Sequence, residues 1–331
     1  MESPGRLYIE PSSLCNLNCK MCFRNSWIDE KCGVMSRDTW AHILVSLKQD
    51  PKPESVMFAG MGEPLTHPQI FEMIKDIASL GIKPELLTNG SLLSHGCAEA
   101  LLECGLGALW VSVDGFERKS YEQIQRGAQF DRLTDSLKYF SGIKAHCRLG
   151  ITFVVMKENI GELDRLNGFA DSICADMINL SFAVPSSPLS KCDSVYESGI
   201  PIGKMKRLKK NETEKVQNHC PFVEDNVCFI KWDGEISPCM QLLHSSYTYL
   251  FEEKRRSDFC SFGNVRGTSI NEAWKSSDYA DFRKHVKNFE FPDCTLCDGC
   301  DDRLENLHDC MFNTFPTCGA CLWAQGIARC P

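Results

Sequence analysis

Cys15, Cys19 and Cys22 stand in the stretch Leu14-Cys15-Asn16-Leu17-Asn18-Cys19-Lys20-Met21-Cys22, a C-x3-C-x2-C spacing. An iron–sulfur cubane that only carries electrons takes four thiolate ligands. A loop that offers three leaves one iron open to a small molecule, so it is a place for chemistry. The whole chain holds 20 cysteines. Small secreted folds use that many as disulfides because they lack a core. Here 331 residues, 43% of them hydrophobic, suffice for a full core and for two domains. Met1-Glu2-Ser3-Pro4-Gly5 has neither a basic n-region nor an apolar h-region, so a cytoplasmic, reducing location is expected. Zinc is the alternative metal, but it prefers closed sites of four ligands.

Other classes are disfavoured. A net charge of −8 and a pI of about 5.6 lack the basic footprint that nucleic acid requires. No apolar run reaches the length of a membrane span.

Two further stretches end apolar runs with residues able to meet a ligand. In Phe58-Ala59-Gly60-Met61-Gly62-Glu63-Pro64, Gly62 permits close approach of backbone. Glu63 there offers a carboxylate for a charge-assisted bond to an ammonium group. Leu87-Thr88-Asn89-Gly90 and Val111-Ser112-Val113-Asp114-Gly115 close on turn residues.

Strand ends must position these motifs. Strands are expected over 6–11, 55–59, 85–88, 108–114, 148–156 and 177–184. Helices are expected over 36–49, 68–80, 97–104, 133–140 and 163–173, with Ser36 as an N-cap and Gly81 and Gly105 as stops. Six βα units imply parallel strands with right-handed crossovers, in an open sheet or a partial barrel. Ligands then gather at the C-terminal strand ends, where every motif above falls. The alternation stops after Pro185. Residues 186–219 read as a polar bridging segment, whose basic run Lys204 to Lys210 is a solvated face or a clamp on an anionic substrate. A cysteine-rich module occupies 220–331, after a core of 1–185.

The cysteine triplet resembles the loop of the radical S-adenosylmethionine (SAM) superfamily, C-x3-C-x-φ-C. Met21 takes the place before the third cysteine that is usually aromatic there, with Phe23 one place later, and Met21 is a soft surface for adenine. The stretch Gly60 to Glu63 resembles the superfamily's GGE element, which receives the ligand's amino group. The resemblance assigns Ser112 and Asp114 to the ribose or sulfonium region and adds Asn89 to the same ligand. Arg126-Gly127-Ala128 resembles a segment that reaches it. Cys220, followed after thirteen residues by Gly234 and after four more by Cys239, resembles the SPASM domain, which binds auxiliary 4Fe–4S clusters.

These resemblances imply an α/β fold, a partial (β/α)6 TIM-like barrel with a C-terminal SPASM/twitch-type iron–sulfur module. They imply one SAM-binding 4Fe–4S cluster, two auxiliary clusters, SAM itself, and a low-potential electron donor such as ferredoxin or flavodoxin. They also imply reductive cleavage of SAM to a 5′-deoxyadenosyl radical that abstracts hydrogen from a second substrate. Two auxiliary cubanes need eight thiolates. One is expected on Cys220, Cys228, Cys239 and Cys310, the other on Cys294, Cys297, Cys300 and one of Cys318, Cys321 or Cys330; zinc remains the alternative here. Cys32, Cys97, Cys104, Cys147, Cys174, Cys192 and Cys260 are scattered and receive no role.

A narrower resemblance rests on Trp232-Asp233-Gly234, Leu242-Leu243-His244, Phe262-Gly263-Asn264-Val265 and the stretch from Cys318 to Gly326. These are similar to radical-SAM maturases of tungsten-cofactor aldehyde oxidoreductases, which implies a metallopterin or its carrier polypeptide as substrate. A radical-SAM enzyme that modifies a peptide, and a multi-cluster electron-transfer protein, are the other two readings.

Overall fold

A computed structural model describes residues 3–28, 31–184, 186, 218–250, 253–295, 297, 300–314 and 316–325. The basic run, Cys192, Cys330 and nearly all of the bridging segment lie outside these residues. All six expected strands form: β1 (Arg6–Ile9), β2 (Ser55–Phe58), β3 (Lys83–Thr88), β4 (Ala108–Ser112), β5 (Arg148–Val155) and β6 (Met177–Phe182). They pair in parallel in sequence order. Between them run α1 (Arg37–Gln49), α2 (Ile70–Ser79), α3 (His95–Glu103), α4 (Arg118–Ile124), α5 (Phe130–Ile143) and α6 (Leu163–Ser172). Ser36 caps α1, its hydroxyl accepting from Thr39 N–H at 3.0 Å. The helix α4 was not expected.

Successive strand residues face opposite ways. Leu7, Ile9, Val56, Phe58, Leu86, Leu109, Val111, Leu149 and Ile151 are buried in one continuous core with Ile43, Met73, Ile74 and Leu137 of the helices. The other face is partly polar. Arg6 Nε donates to Ser55 Oγ at 3.1 Å, and Trp110 Nε1 donates to Glu85 Oε2 at 3.2 Å. Gly150 lets the indole of Trp110 lie on the neighbouring strand, since a Cβ there would stand 2.3 Å from it.

The sheet does not stop at β6. Beyond α7 (Pro221–Glu224), strand β7 (Val227–Ile230) pairs in parallel with β1, and β8 (Ile236–Ser237) pairs antiparallel with β7. The order is β6-β5-β4-β3-β2-β1-β7-β8, eight strands in all. The cysteine-rich segment thus continues the core sheet across the boundary drawn at 219/220. A separate ribbon of β9 (Ser246–Leu250) and β10 (Glu253–Ser257), then α8 (Ile270–Lys275) and α9 (Ser277–Asn288), complete the described elements. None of the described helices is long and apolar enough to cross a membrane.

Candidate functional site

The C-terminal strand ends share one rim. The loop after β1 carries Cys15, Cys19 and Cys22, and three neighbours hold it. Asn18 N–H donates to Arg126 O at 3.1 Å and Lys20 N–H to Ile124 O at 2.9 Å, so the loop lies along the end of α4. Lys20 Nζ reaches Glu158 at 2.6 Å, beyond β5. Glu63 N–H donates to Leu14 O at 2.8 Å, which joins it to the loop after β2. Gly62 makes that junction possible, because a Cβ on it would meet Ser12 O at 2.0 Å and Leu14 O at 2.6 Å.

The three thiols share one electrostatic field. Burial pushes Cys19 up strongly, with Asp114, Cys22 and Cys15 adding to the effect. Burial also raises Cys22, with Cys15 acting in the same direction. Thiols in this state resist ionisation until a cation compensates them, and metal binding then releases their protons. Leu17 N–H at 3.5 Å and Asn89 Nδ2 at 3.7 Å point at Cys15 Sγ. Hydrogen bonds to cluster sulfurs are one of the levers on reduction potential. None of the described cysteines is disulfide-bonded. Among the described residues no three His, Cys, Asp or Glu side chains are placed to hold a single ion. The thiols of Cys15, Cys19 and Cys22 share one electrostatic field on this loop, and soft thiolates of this number suit an iron–sulfur cluster.

The other expected ligand contacts fall into two sets. Met21 and Ser112 are partly accessible on the rim, and Asn89 sits between Cys15 and Asn16, its Nδ2 donating to Asn16 Oδ1 at 3.1 Å. Ser112 Oγ lies 3.2 Å from Thr152 Oγ1. The remaining three make bonds within the protein. The Glu63 carboxylate, expected to face an ammonium group, is buried and already occupied: Oε1 accepts from Thr88 Oγ1 at 2.6 Å and Leu65 N–H at 3.0 Å, and Oε2 from Asn89 N–H at 2.8 Å. Burial raises its pKa, against those three donors. Its side chain fixes the loop through these three bonds. Asp114, expected at the ribose or sulfonium region, is fully buried, acts electrostatically on Cys19 and accepts from Val154 N–H at 2.8 Å. Arg126 holds the cysteine loop through its carbonyl, while its side chain is exposed.

Burial lifts Asp114 from an ordinary 3.8 to about 7. The folded state then binds more protons than the unfolded state between these values, so this group's contribution to stability falls as pH rises through that window. Asp114→Asn removes the penalty. Its stability gain over the parent, measured by chemical denaturation, grows from near zero at pH 4 to a plateau above pH 7. The plateau is on the order of 4 kcal/mol at most, at 1.36 kcal/mol per pKa unit. A gain that shrinks with rising pH contradicts this.

Sequence reading missed one group at the rim. Glu10, one residue past β1, is 1% exposed and accepts from Met61 N–H at 2.8 Å and from His244 Nε2 at 2.9 Å. Trp27 stacks on His244 at 4.2 Å. Phe23 meets Trp323 edge-on at 5.9 Å. These contacts tie both catalytic-side loops to the C-terminal segment. A charged residue directly after an apolar strand run was the available signal for Glu10.

Two sets of C-terminal thiols are coupled electrostatically. Cys220, Cys239, Cys318 and Cys321 act on one another electrostatically. Cys294 stands with Cys310 and Cys297, and Cys300 follows three places later in the chain. Cys228 on β7 is fully buried, its thiol donating to Phe229 O at 3.9 Å, with Tyr279 and Arg283 of α9 acting on it electrostatically.

Comparison with known proteins agrees with this geometry. Residues 9–170 match the radical SAM superfamily and residues 220–301 match an iron–sulfur cluster-binding domain. The chain is 32% identical, over 98% of its length and 96% of the relative's, to a tungsten-containing aldehyde ferredoxin oxidoreductase cofactor-modifying protein of Pyrococcus furiosus. It is 28% identical to an AdoMet-dependent heme synthase of Methanosarcina barkeri, over 58% of this chain and 54% of that one. Two solved structures share the fold. Streptococcus suis SuiB bound to S-adenosylmethionine matches with a TM-score of 0.64 at 18% identity, covering 89% of this chain and 71% of that one. AdoMet-bound anSMEcpe matches with a TM-score of 0.60 at 17% identity, covering 90% and 88%. The chain therefore belongs to the radical SAM superfamily: it is an enzyme of S-adenosylmethionine and 4Fe–4S clusters, with a SPASM domain after its core.

Proposed function

We propose that this enzyme abstracts hydrogen from a metallopterin cofactor, or from the polypeptide carrying it, during maturation of a tungsten oxidoreductase. The observation that carries this reading is likeness to the Pyrococcus furiosus cofactor-modifying protein along essentially the whole of both chains. When bound, the cluster and SAM supply reductive cleavage of a carbon–sulfur bond and a 5′-deoxyadenosyl radical.

The chain's own residues do the rest. Cys15, Cys19 and Cys22 would hold the first cluster through three thiolates, which would leave it able to bind SAM. Backbone at Met61 and Gly62, held in place by Glu63 and Glu10, faces the ammonium group. Met21, Asn89 and Ser112 line the nucleoside side. Asp114 and Arg126 support the loop from behind. A low-potential ferredoxin or flavodoxin delivers the electron. Much of the selectivity comes from holding the substrate close to the radical and away from water. The test is anaerobic turnover with SAM, reductant and the tungsten oxidoreductase or its extracted pterin cofactor. The reading expects 5′-deoxyadenosine formation that depends on that partner. Formation driven equally well by an unrelated precursor peptide contradicts it.

Cys220, Cys239, Cys318 and Cys321 hold one auxiliary cluster in this reading, and Cys294, Cys297, Cys300 and Cys310 the other. Cys318→Ser then lowers iron by up to about four atoms per chain, one cubane's worth, whereas Cys228→Ser leaves it unchanged. Iron and sulfide analysis of anaerobically purified protein checks both. Equal loss in the two variants would restore Cys228 as a ligand.

A further inference from the structure

β10 alternates in exposure: Lys254 and Arg256 face outward, and Arg255 between them turns in. An inward guanidinium must find partners for its donors. Arg255 finds main-chain carbonyls: Nε donates to Arg303 O at 3.1 Å, Nη2 to Glu305 O at 3.1 Å, and Nη1 to Ala320 O at 3.0 Å. Carbonyls orient the group without neutralising it. The ionisable groups that act on it are thiols, those of Cys321, Cys294 and Cys318.

Those thiols come from both C-terminal groups, and the groups abut at this place. Cys294 N–H donates to Gly319 O at 2.9 Å. Gly319 leaves no room for a side chain: a Cβ would stand 2.1 Å from Pro292 O and 3.1 Å from Cys294 Sγ. The turn carrying Cys318 and Cys321 therefore lies directly on the turn carrying Cys294, with Arg255 bonded into the first turn at Ala320.

We propose that Arg255 is a cation shared by the two auxiliary clusters, raising the reduction potential of both so that electrons pass through them as a pair. The proposal rests on the reading that the two thiol groups hold cubanes. Four thiolates outweigh the charge of a cubane core, so each site is anionic and becomes more so when it accepts an electron. A fixed cation beside it favours the reduced form, and net charge is one of the settings of cluster potential. When an electron passes between the pair, one cluster is oxidised and the other reduced. Arginine keeps its proton throughout, so no proton transfer accompanies that step.

The test is an EPR-monitored redox titration of the full-length reconstituted protein as parent, Arg255→Gln and Arg255→Lys. The expected result for Arg255→Gln is a negative shift of both auxiliary midpoints, each by a tenfold change or more in the reduction equilibrium, about 59 mV for one electron. The N-terminal cluster stays unmoved. Arg255→Lys, which keeps the charge and loses the planar fork, restores most of the shift. Unmoved auxiliary midpoints in a fully loaded Arg255→Gln protein overturn the proposal. Should that variant load poorly, Arg255→Lys decides: parental midpoints support the shared charge, and a full negative shift overturns it. A parent protein that binds only about four irons would instead remove the two-cluster reading on which the proposal stands.

Discussion

Alanine at Cys15, Cys19 and Cys22 together reduces 5′-deoxyadenosine formation to background while the C-terminal iron stays bound. The two parts of this result come from one geometric fact. The three thiols act on one another on a loop at the top of β1, whereas the C-terminal thiols form separate groups of their own. Loss of the first site therefore leaves the ligands of the others in place. The remaining fold also survives, because the loop is tied through backbone bonds from Asn18, Lys20 and Glu63 that alanine does not touch. Anaerobic turnover assays with iron analysis on the same sample measure both halves. Residual turnover above background would mean that radical formation does not need these three residues.

Alanine at Gly62 has the second-largest effect. Gly62 is required for space, since its added Cβ meets two carbonyl oxygens of the cysteine loop. Neither oxygen belongs to a flexible side-chain end that can swing away. The loops after β1 and β2 must part, which carries Glu63 N–H off Leu14 O and shifts the backbone proposed to face SAM. A loss of about 1–3 kcal/mol in stability is expected, the usual cost of overpacking. SAM affinity should fall as well, read by equilibrium dialysis. Gly142, in α5, is the control, because nothing lies within 4 Å of a Cβ added there. Alanine at that exposed helix position should raise stability by up to about 1 kcal/mol. A Gly62→Ala protein that binds SAM like the parent contradicts the close-approach account.

The six core strands were legible because each is a local apolar run ending in a turn residue, and all six formed within two residues of expectation at either end. β3 begins two residues earlier than read, at Lys83, because Lys83-Pro84 looks like a break and only pairing with Ser55 and Val56 makes it strand. The helix α4 is seven residues with two buried apolar side chains, Tyr121 and Ile124, too short a stripe to stand out. β7 was missed for another reason. Its run Val227-Cys228-Phe229-Ile230 lies among cysteines, and its partner β1 is more than 200 residues away in the chain. Local pattern carries no information about such pairing. Spacing likewise counts Cys228 without saying which face of a strand it takes. The cysteine triplet was legible because its spacing is itself the signal. The backbone bonds that Glu63 and Asp114 accept were not legible, because a carboxylate's own hydrogen-bond partners leave no mark in sequence.

The account turns on an iron corner left free for SAM. EPR of the reduced enzyme, recorded without and with SAM, tests this most directly. The account predicts that SAM changes the signal of the cluster held by Cys15, Cys19 and Cys22 and leaves the auxiliary signals as they were. An N-terminal signal that is identical with and without SAM would contradict it.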